Sequence, residues 1–549
     1  MRFPNGKRGK YAVARAIACS SLLLVLSSCS IPNLRGPQSQ PDLPAAFNGA
    51  AGAAANSSDN SSQLRIDAFF NDPLLLALID QGLASNRELM ILDEEVQIAS
   101  NDVLARQGAY LPFITGGASA GLEKPSKYTP EGAAEDELTY PGNRHFPDPL
   151  PNFMGGINLF WQIDIWRELR NARDAAQQRY CATIERRNYF VTHLVMEIAE
   201  NYYNLAALDN RLQTLARTIE LQQQSLKISE AKKAAGRDTA LAVQRFQAEV
   251  RKNQSETQIV KQEILEAENK INLLLNRYPQ PVERMSQGFF DLNIHALAAG
   301  VPSQLLQNRP DIRQAERELS AAGLDIQVAR AHFYPRLDIT GTVGYEAFNP
   351  SYLFLTPESL IGSIAGNLVV PLLNKKAIQA EFMTANAKQL QALYNYQRVI
   401  LTAFTEVINR MAKVDNYGRS IAVKKQQLEW LQASVDTASK LFQSARAEYV
   451  EVLLAQRDLM EARMTLIETK KEQLAAVVSA YQALGGGAVW ANSSPVAAAT
   501  PLAPVAPGTL PPAPAPATGF TPAPALVPVP KPAPGALSVP PVPSTPSSP

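Results

Sequence analysis

The chain has 549 residues, 46% of them hydrophobic, with 52 Lys and Arg against 51 Asp and Glu and a formal charge of +1. That length allows several domains, and so even a charge balance gives no ground for a nucleic-acid surface or an acidic solvating tail. No uncharged apolar run reaches the 18 residues a spanning helix needs.

The N-terminus reads as a targeting signal. Arg2, Lys7, Arg8, Lys10 and Arg15 form a positive segment, Ala16 to Leu26 an apolar one, and Leu26-Ser27-Ser28-Cys29 closes it. This resembles the lipobox of bacterial lipoproteins. The resemblance implies that residues 1–28 are removed and that Cys29 becomes the acylated first residue; more than one acyl chain is needed for stable anchoring. In that class Ser30, in place of aspartate, implies sorting to the outer membrane. An ordinary signal peptide with an incidental cysteine is the other reading.

Residues 29–62 are a polar linker rich in Ala, Ser, Asn and Pro. A helix is predicted from Asp72-Pro73 to about Arg106, with one break at Gly82–Asn86. The period then changes. Leu111 to Leu122 is rich in Gly, Ala, Ser and Thr, and residues 156–165 alternate through Ile157, Leu159, Trp161, Ile163 and Ile165. These read as strands of the roughly 10 residues that a tilted transmembrane strand requires. About 30 residues rich in Pro, Gly and charge separate them as a loop that must sit in water.

From Tyr189 to Tyr278 the sequence predicts two long helices joined at Gly236-Arg237-Asp238-Thr239, with no other Gly or Pro until Tyr278 has passed. Each would span about 55–70 Å at 1.5 Å per residue. Leu212, Leu215, Ile219 and Leu226 make a narrow seam, with Gln222 where another apolar residue would fall. A helix in a solid bundle shows a broader apolar stripe. The narrow seam suits the wall of a hollow tube, or equally a solvated two-stranded stalk.

The plan then recurs, so residues 63–278 and 279–487 read as duplicated halves. Pro310 and Asp311 open a helix to about residue 331, with Arg313, Glu316, Arg317 and Glu318 as a solvated ion-pair face. Strands follow at 337–347 and 361–370. Long helices occupy 375–484, as Lys375 to Gly418 and Ile421 to Leu484, with a turn near Gln443 to Glu448. Residues 488–549 form a Pro/Ala-rich tail that reads as a disordered extension. A peptidoglycan- or partner-binding tail is the alternative.

Four strands cannot close in a bilayer, where unpaired edge groups go unsatisfied, and single-chain barrels begin at about 8 strands. Membrane strands would therefore demand a barrel shared among copies. A small soluble sheet capping a stalk is the alternative. Nothing points to catalysis. Beyond Cys29 the mature chain holds only Cys181, the four histidines (His145, His193, His295, His332) have no metal-ligand spacing, and neither a phosphate loop nor a Gly-x-Ser-x-Gly elbow occurs. No cofactor is expected.

Four stretches, Phe70 to Pro73, Trp161 to Trp166, Leu306 to Glu318 with Ala329 to Pro335, and Ala483 to Gly487, resemble the TolC-like outer-membrane efflux factors, in the lipoprotein branch serving resistance-nodulation-division pumps. The resemblance spans about residues 65–487. It implies a homotrimer with a 12-stranded transmembrane β-barrel and a 12-helix α-helical barrel in the periplasm. A periplasmic adaptor and an inner-membrane transporter would complete the pump. It also implies a gate at the hairpin tips, at Val450, Leu454 and Arg457. Relatives often carry leucine and aspartate at the first two positions, so an apolar constriction that closes by dewetting is expected here. Packing between helices would account for the same residues. The adaptor would dock on Ala235 and Gly236 of one turn and on Ser444, Ala445 and Arg446 of the other, where relatives usually have glycine at Ala445. A lipid-anchored periplasmic adaptor or coiled-coil protein, and the channel of a type I secretion system, are the competing functions.

Overall fold

The structure is a computed structural model describing residues 31–38, 44, 47, 61–140, 142–237, 239–285, 288–292, 300–371, 375–444 and 446–487. All fall in the first of two units, 1–497. Cys29, Ala445, the signal segment, most of the 29–62 linker and the Pro/Ala-rich tail lie outside the described residues.

Short helices open the fold. Helix α1 (Ile66–Phe70) leads into α2 (Pro73–Ser85), where Pro73 occupies the first helical position and Asp72 accepts from the Leu74 and Leu75 amides at 3.0 and 3.3 Å. Asn86 caps α3 (Arg87–Ala109) through the Leu89 amide. Its Nδ2 also donates to the Leu274 carbonyl at 2.9 Å, so one side chain starts a helix and ties it to another.

Strand β1 (Phe113–Glu123) is followed by α4 (Pro130–Glu137), a two-residue hairpin of β2 (Thr139–Tyr140) and β3 (Arg144–His145), and then β4 (Leu150–Ile163). The predicted featureless loop therefore has its own helix and hairpin. The second strand also starts six residues before the predicted 156 and stops at 163. Its alternation is hidden where Pro151, Gly155 and Gly156 interrupt the apolar side chains.

Helix α5 (Glu168–Ala234) runs 67 residues, about 100 Å, and returns through α6 (Ala240–Leu274). It begins far before the expected Tyr189. The second half supplies α7 (Pro302–Asn308), α8 (Pro310–Ala331), β5 (Arg336–Ala347), β6 (Leu360–Val369), α9 (Lys376–Gln443) and α10 (Tyr449–Ala483). The break expected at Gly418 is absent: α9 is continuous through it. A Cβ there would approach Gln473 Nε2 to 3.2 Å, so this glycine permits close packing of α9 on α10 and does not interrupt the helix.

Helix α5 packs against α2, α3, α6, α8 and α10, and is the common partner of the helical part. Its upper half carries the main core, where Ile198, Tyr202 and Leu205 meet Phe69, Leu75 and Ile79. Tyr481 of α10 stacks on Phe69 at 4.0 Å. Toward the far end the buried face becomes polar. Leu215, Thr218, Gln222, Ser225 and Ser229 are buried at helical spacing, and Asn253 Nδ2 donates to Gln222 Oε1 at 2.8 Å. Gln222 thus fills its seam position by pairing across the hairpin.

Candidate functional site

The four long strands form one antiparallel sheet in the order β1-β4-β5-β6. Its register gathers the polar rows onto one face, which also carries some apolar side chains such as Phe113, Phe160 and Val369. That face carries rows such as Thr115–Asn158–Thr342–Ser363 and Gln162–Asp338–Asn367. Thr342 Oγ1 donates to Asn158 Oδ1 at 2.9 Å, and Asn152 Nδ2 to Glu346 Oε1 at 2.8 Å.

The opposite face carries only Ile, Leu, Val, Phe, Trp, Tyr, Ala and Gly, with one Pro, in rows such as Ile114–Leu159–Gly341–Ile364. Trp161 lies toward its helical end, and Phe153 and Tyr345 toward the other. Ile364 is 81% exposed and Val343 62%. A sheet whose large apolar side chains stand in the open all across one face, with polar rows on the other and aromatics at both ends, has the side-chain pattern of a membrane barrel wall. Within the chain, β1 and β6 each keep one unpaired edge.

At the far end of the long helices the two turns match in construction. The Arg237 amide donates to the Lys232 carbonyl at 2.8 Å and the Gly236 amide to the Lys233 carbonyl at 3.0 Å, with Gly236 at φ 70°. In the second turn the Arg446 amide spans the same five residues to the Leu441 carbonyl, at 2.9 Å. Ala235, Gly236, Ser444 and Arg446 are all exposed.

The hairpins are tied beside these turns. Lys232 Nζ donates to the Phe442 carbonyl and sits 3.5 Å from the centre of its ring, a cation–π contact. Gln456 Nε2 donates to Ser225 Oγ at 3.0 Å. On α10, Val452, Gln456 and Leu459 are buried, whereas Val450, Leu454 and Arg457 are exposed together on another face. The structure therefore groups the three expected gate residues on one face of α10, away from its most buried positions. Lys232 was not singled out by sequence, since a lysine in a helix's last turn is ordinary.

Where sheet and helices join, His332 bridges two helix starts. Its Nε2 lies 3.4 Å from Glu168 of α5 and its Nδ1 3.0 Å from Glu381 of α9. The Glu168 hydrogen bond, reinforced by Glu381 and opposed by burial, pushes its pKa up to about 9. Stability from this clamp is full below the unfolded value of about 6.5 and fades as pH rises through about 9. The melting temperature is expected to fall across that window, and His332→Gln to flatten the slope. An unchanged slope in thermal melts of the variant would show that His332 is not its source.

An exposed apolar sheet face above long paired hairpins defines an outer-membrane channel protein. The chain belongs to the outer membrane efflux protein family, whose model matches residues 78–277 and 301–486. It is 28% identical over 465 residues to the cation efflux system protein CusC of Escherichia coli K12, covering 84% of this chain and 97% of that one. The solvent efflux pump outer membrane protein SrpC of Pseudomonas putida is 27% identical over 472 residues, covering 85% and 97%. A crystal structure of CusC, a transmembrane channel, superposes with a TM-score of 0.71 at 26% identity, over 83% of this chain and all of that one. The fold is thus that of the efflux channels, with a β-barrel and an α-helical barrel, and the site is an outer-membrane efflux conduit.

Proposed function

We propose that three copies of the chain assemble into the outer-membrane channel of a tripartite efflux pump. The observation that carries this is the two-faced sheet with two open edges. In hydrocarbon both edges must be paired, and three copies supply twelve strands and twelve long helices. The polar rows then line a lumen and the apolar rows face lipid.

An inner-membrane transporter of the resistance-nodulation-division class would load the duct, and a periplasmic adaptor would meet Ala235, Gly236, Ser444, Ala445 and Arg446. Acylation of Cys29 is supported by the docking of the chain just beyond it. Ile31 packs on the cluster of Ile326, Ala329, Phe382 and Ala385, and the Arg35 amide donates to Asn386 Oδ1 at 2.9 Å. CusC and SrpC, about equally similar to this chain, are named for cations and for solvents respectively. Small-molecule cargo is therefore chosen by the transporter, and the channel is a passive conduit.

Val450 and Leu454 form the closed constriction by excluding water, with Arg457 beside them. Leu454→Ser should raise the open probability of the protein in planar bilayers. Unaltered gating in single-channel records would remove Leu454 from the gate. An absence of channels from the wild-type protein would remove the conduit itself.

A further inference from the structure

A cavity of about 330 Å³ lies between the two hairpins, lined among others by Leu221 and Ser225 of α5, Gln432 and Asp436 of α9, and Val452 and Gln456 of α10. One polar group in its wall is unsatisfied. Gln456 is 4% exposed, and its Oε1 accepts no hydrogen bond from the described residues. Turning the amide over would not cure this. Its Nε2 donates to Ser225 Oγ, and Ser225 gives its own hydrogen to the Leu221 carbonyl at 3.1 Å, leaving none for a carbonyl oxygen. A buried acceptor without a donor is costly, so this one calls for an N–H or O–H from elsewhere.

Gln432 joins the cavity to a second anomaly. Its Oε1 accepts from Arg463 Nη2 at 2.5 Å. Arg211 and Arg284, also part-buried, each meet two carboxylates: Glu256 and Glu263 for the first, Asp209 and Glu268 for the second. Arg463 meets none among the described residues. The one charge that acts on it is the Arg217 guanidinium of α5, which adds to burial in pushing its pKa down. Arg217 is exposed and likewise has no ion pair among the described residues.

Two guanidinium groups on facing helices therefore repel each other with no carboxylate between them. Arginine grips a carboxylate or phosphate through paired N–H donors. The charged side chains of the cavity itself, Asp436 and Lys440, are exposed and of opposite sign, so they leave that positive field uncancelled. Gln456 and Arg463 are two turns apart on one side of α10, about 10 Å along its axis, and the length of the arginine side chain shortens the reach between them.

We infer that this cavity binds a small organic acid, its carboxylate between Arg463 and Arg217 and its N–H or O–H on Gln456 Oε1. The volume is at the small end of ligand sites. Every residue of the site belongs to one copy, so the inference stands apart from the three-copy reading, and a bound acid would tie the first hairpin to the second.

Isothermal titration calorimetry of the full-length protein in detergent, at fixed ionic strength, tests this with citrate, which carries both carboxylates and a hydroxyl. The wild-type protein is expected to bind citrate saturably, once per chain. Arg463→Gln and Arg217→Gln should each weaken binding about tenfold, the loss of one charge-assisted hydrogen bond. Arg217 is exposed, so its variant keeps the fold even where Arg463→Gln does not. Tricarballylate, which is citrate without the hydroxyl, should bind the wild type more weakly. An absence of saturable citrate binding would mean that water alone fills the cavity and would overturn the proposal, as would equal affinity in the wild type and Arg217→Gln. Equal affinity for citrate and tricarballylate would overturn the part given to Gln456.

Discussion

Val343→Arg is expected to abolish insertion of the barrel, whereas Thr342→Arg, one residue earlier on the same strand, leaves it assembled. The register puts the two side chains on opposite faces of β5, Val343 in a row with Ile157 and Thr342 in a row with Asn158. An arginine facing lipid near the middle of the bilayer costs about 2–4 kcal/mol, and three copies would each bear that cost in one closed ring. On the lumenal face the same cation meets water and changes only conductance and ion preference. The yield of heat-resistant oligomer from outer membranes distinguishes the two. Equal loss in both variants, or equal tolerance, would mean that the apolar face is not in lipid.

The second large effect is expected away from the membrane. Arg309 is 2% exposed and joins three helices at once. Its Nε and Nη2 grip Asp311 at 3.0 and 2.6 Å, Nη2 also reaches Glu406 of α9 at 3.0 Å, and Nη1 donates to the Ala483 carbonyl at the end of α10 at 2.8 Å. Arg309→Met strands two carboxylates and a helix-end carbonyl together. Breaking such a buried pair costs about 3–5 kcal/mol, at the lower end here because Glu406 retains some solvent. Arg309→Lys should recover little, since an ammonium cannot supply the fork that holds Asp311 and Ala483 simultaneously. The denaturant midpoint of the helical circular-dichroism signal reads this directly. A midpoint unmoved in Arg309→Met would show that the network contributes nothing net.

Arg309 also marks where sequence reading stops. The charges around it suggested a solvated ion-pair face. Arg313 does pair with a carboxylate, but that of Glu185 on α5, at 2.8 Å and only part-exposed. The partners that make Arg309 matter lie 97 and 174 residues away, and no local pattern announces them. The loop between β1 and β4 escaped sequence reading for a similar reason. Its hairpin is held by Tyr140 and Phe146 against Phe348 of the other loop, at 5.1 and 5.2 Å, so its order comes from a distant strand connection. The strand pair at 337–347 and 361–370 was legible to within a residue, because its alternation is little interrupted. Long helices were legible from missing breakers, and misjudged at the start of α5, which begins at Glu168 and not Tyr189, and where Gly418 serves packing.

The candidate site was legible in part. Val450, Leu454 and Arg457 came from the family resemblance, not from any pattern in the residues themselves, and the structure places them on one exposed face of α10. The turn residues Gly236 and Ser444 were found as breaks between helices. The tie from Lys232 to Phe442 and the His332 clamp were not, because each depends on which helices become neighbours. A lipid-anchored periplasmic stalk, the main rival, gives no reason for a wholly apolar sheet face with aromatics at both ends.

The count of chains in the native particle tests the central claim most directly. Protein extracted from outer membranes in mild detergent should give, by native mass spectrometry, particles of three chains with both strand and helix in their circular dichroism. A stable, fully folded particle of one chain, its four strands formed without a neighbour, would contradict it.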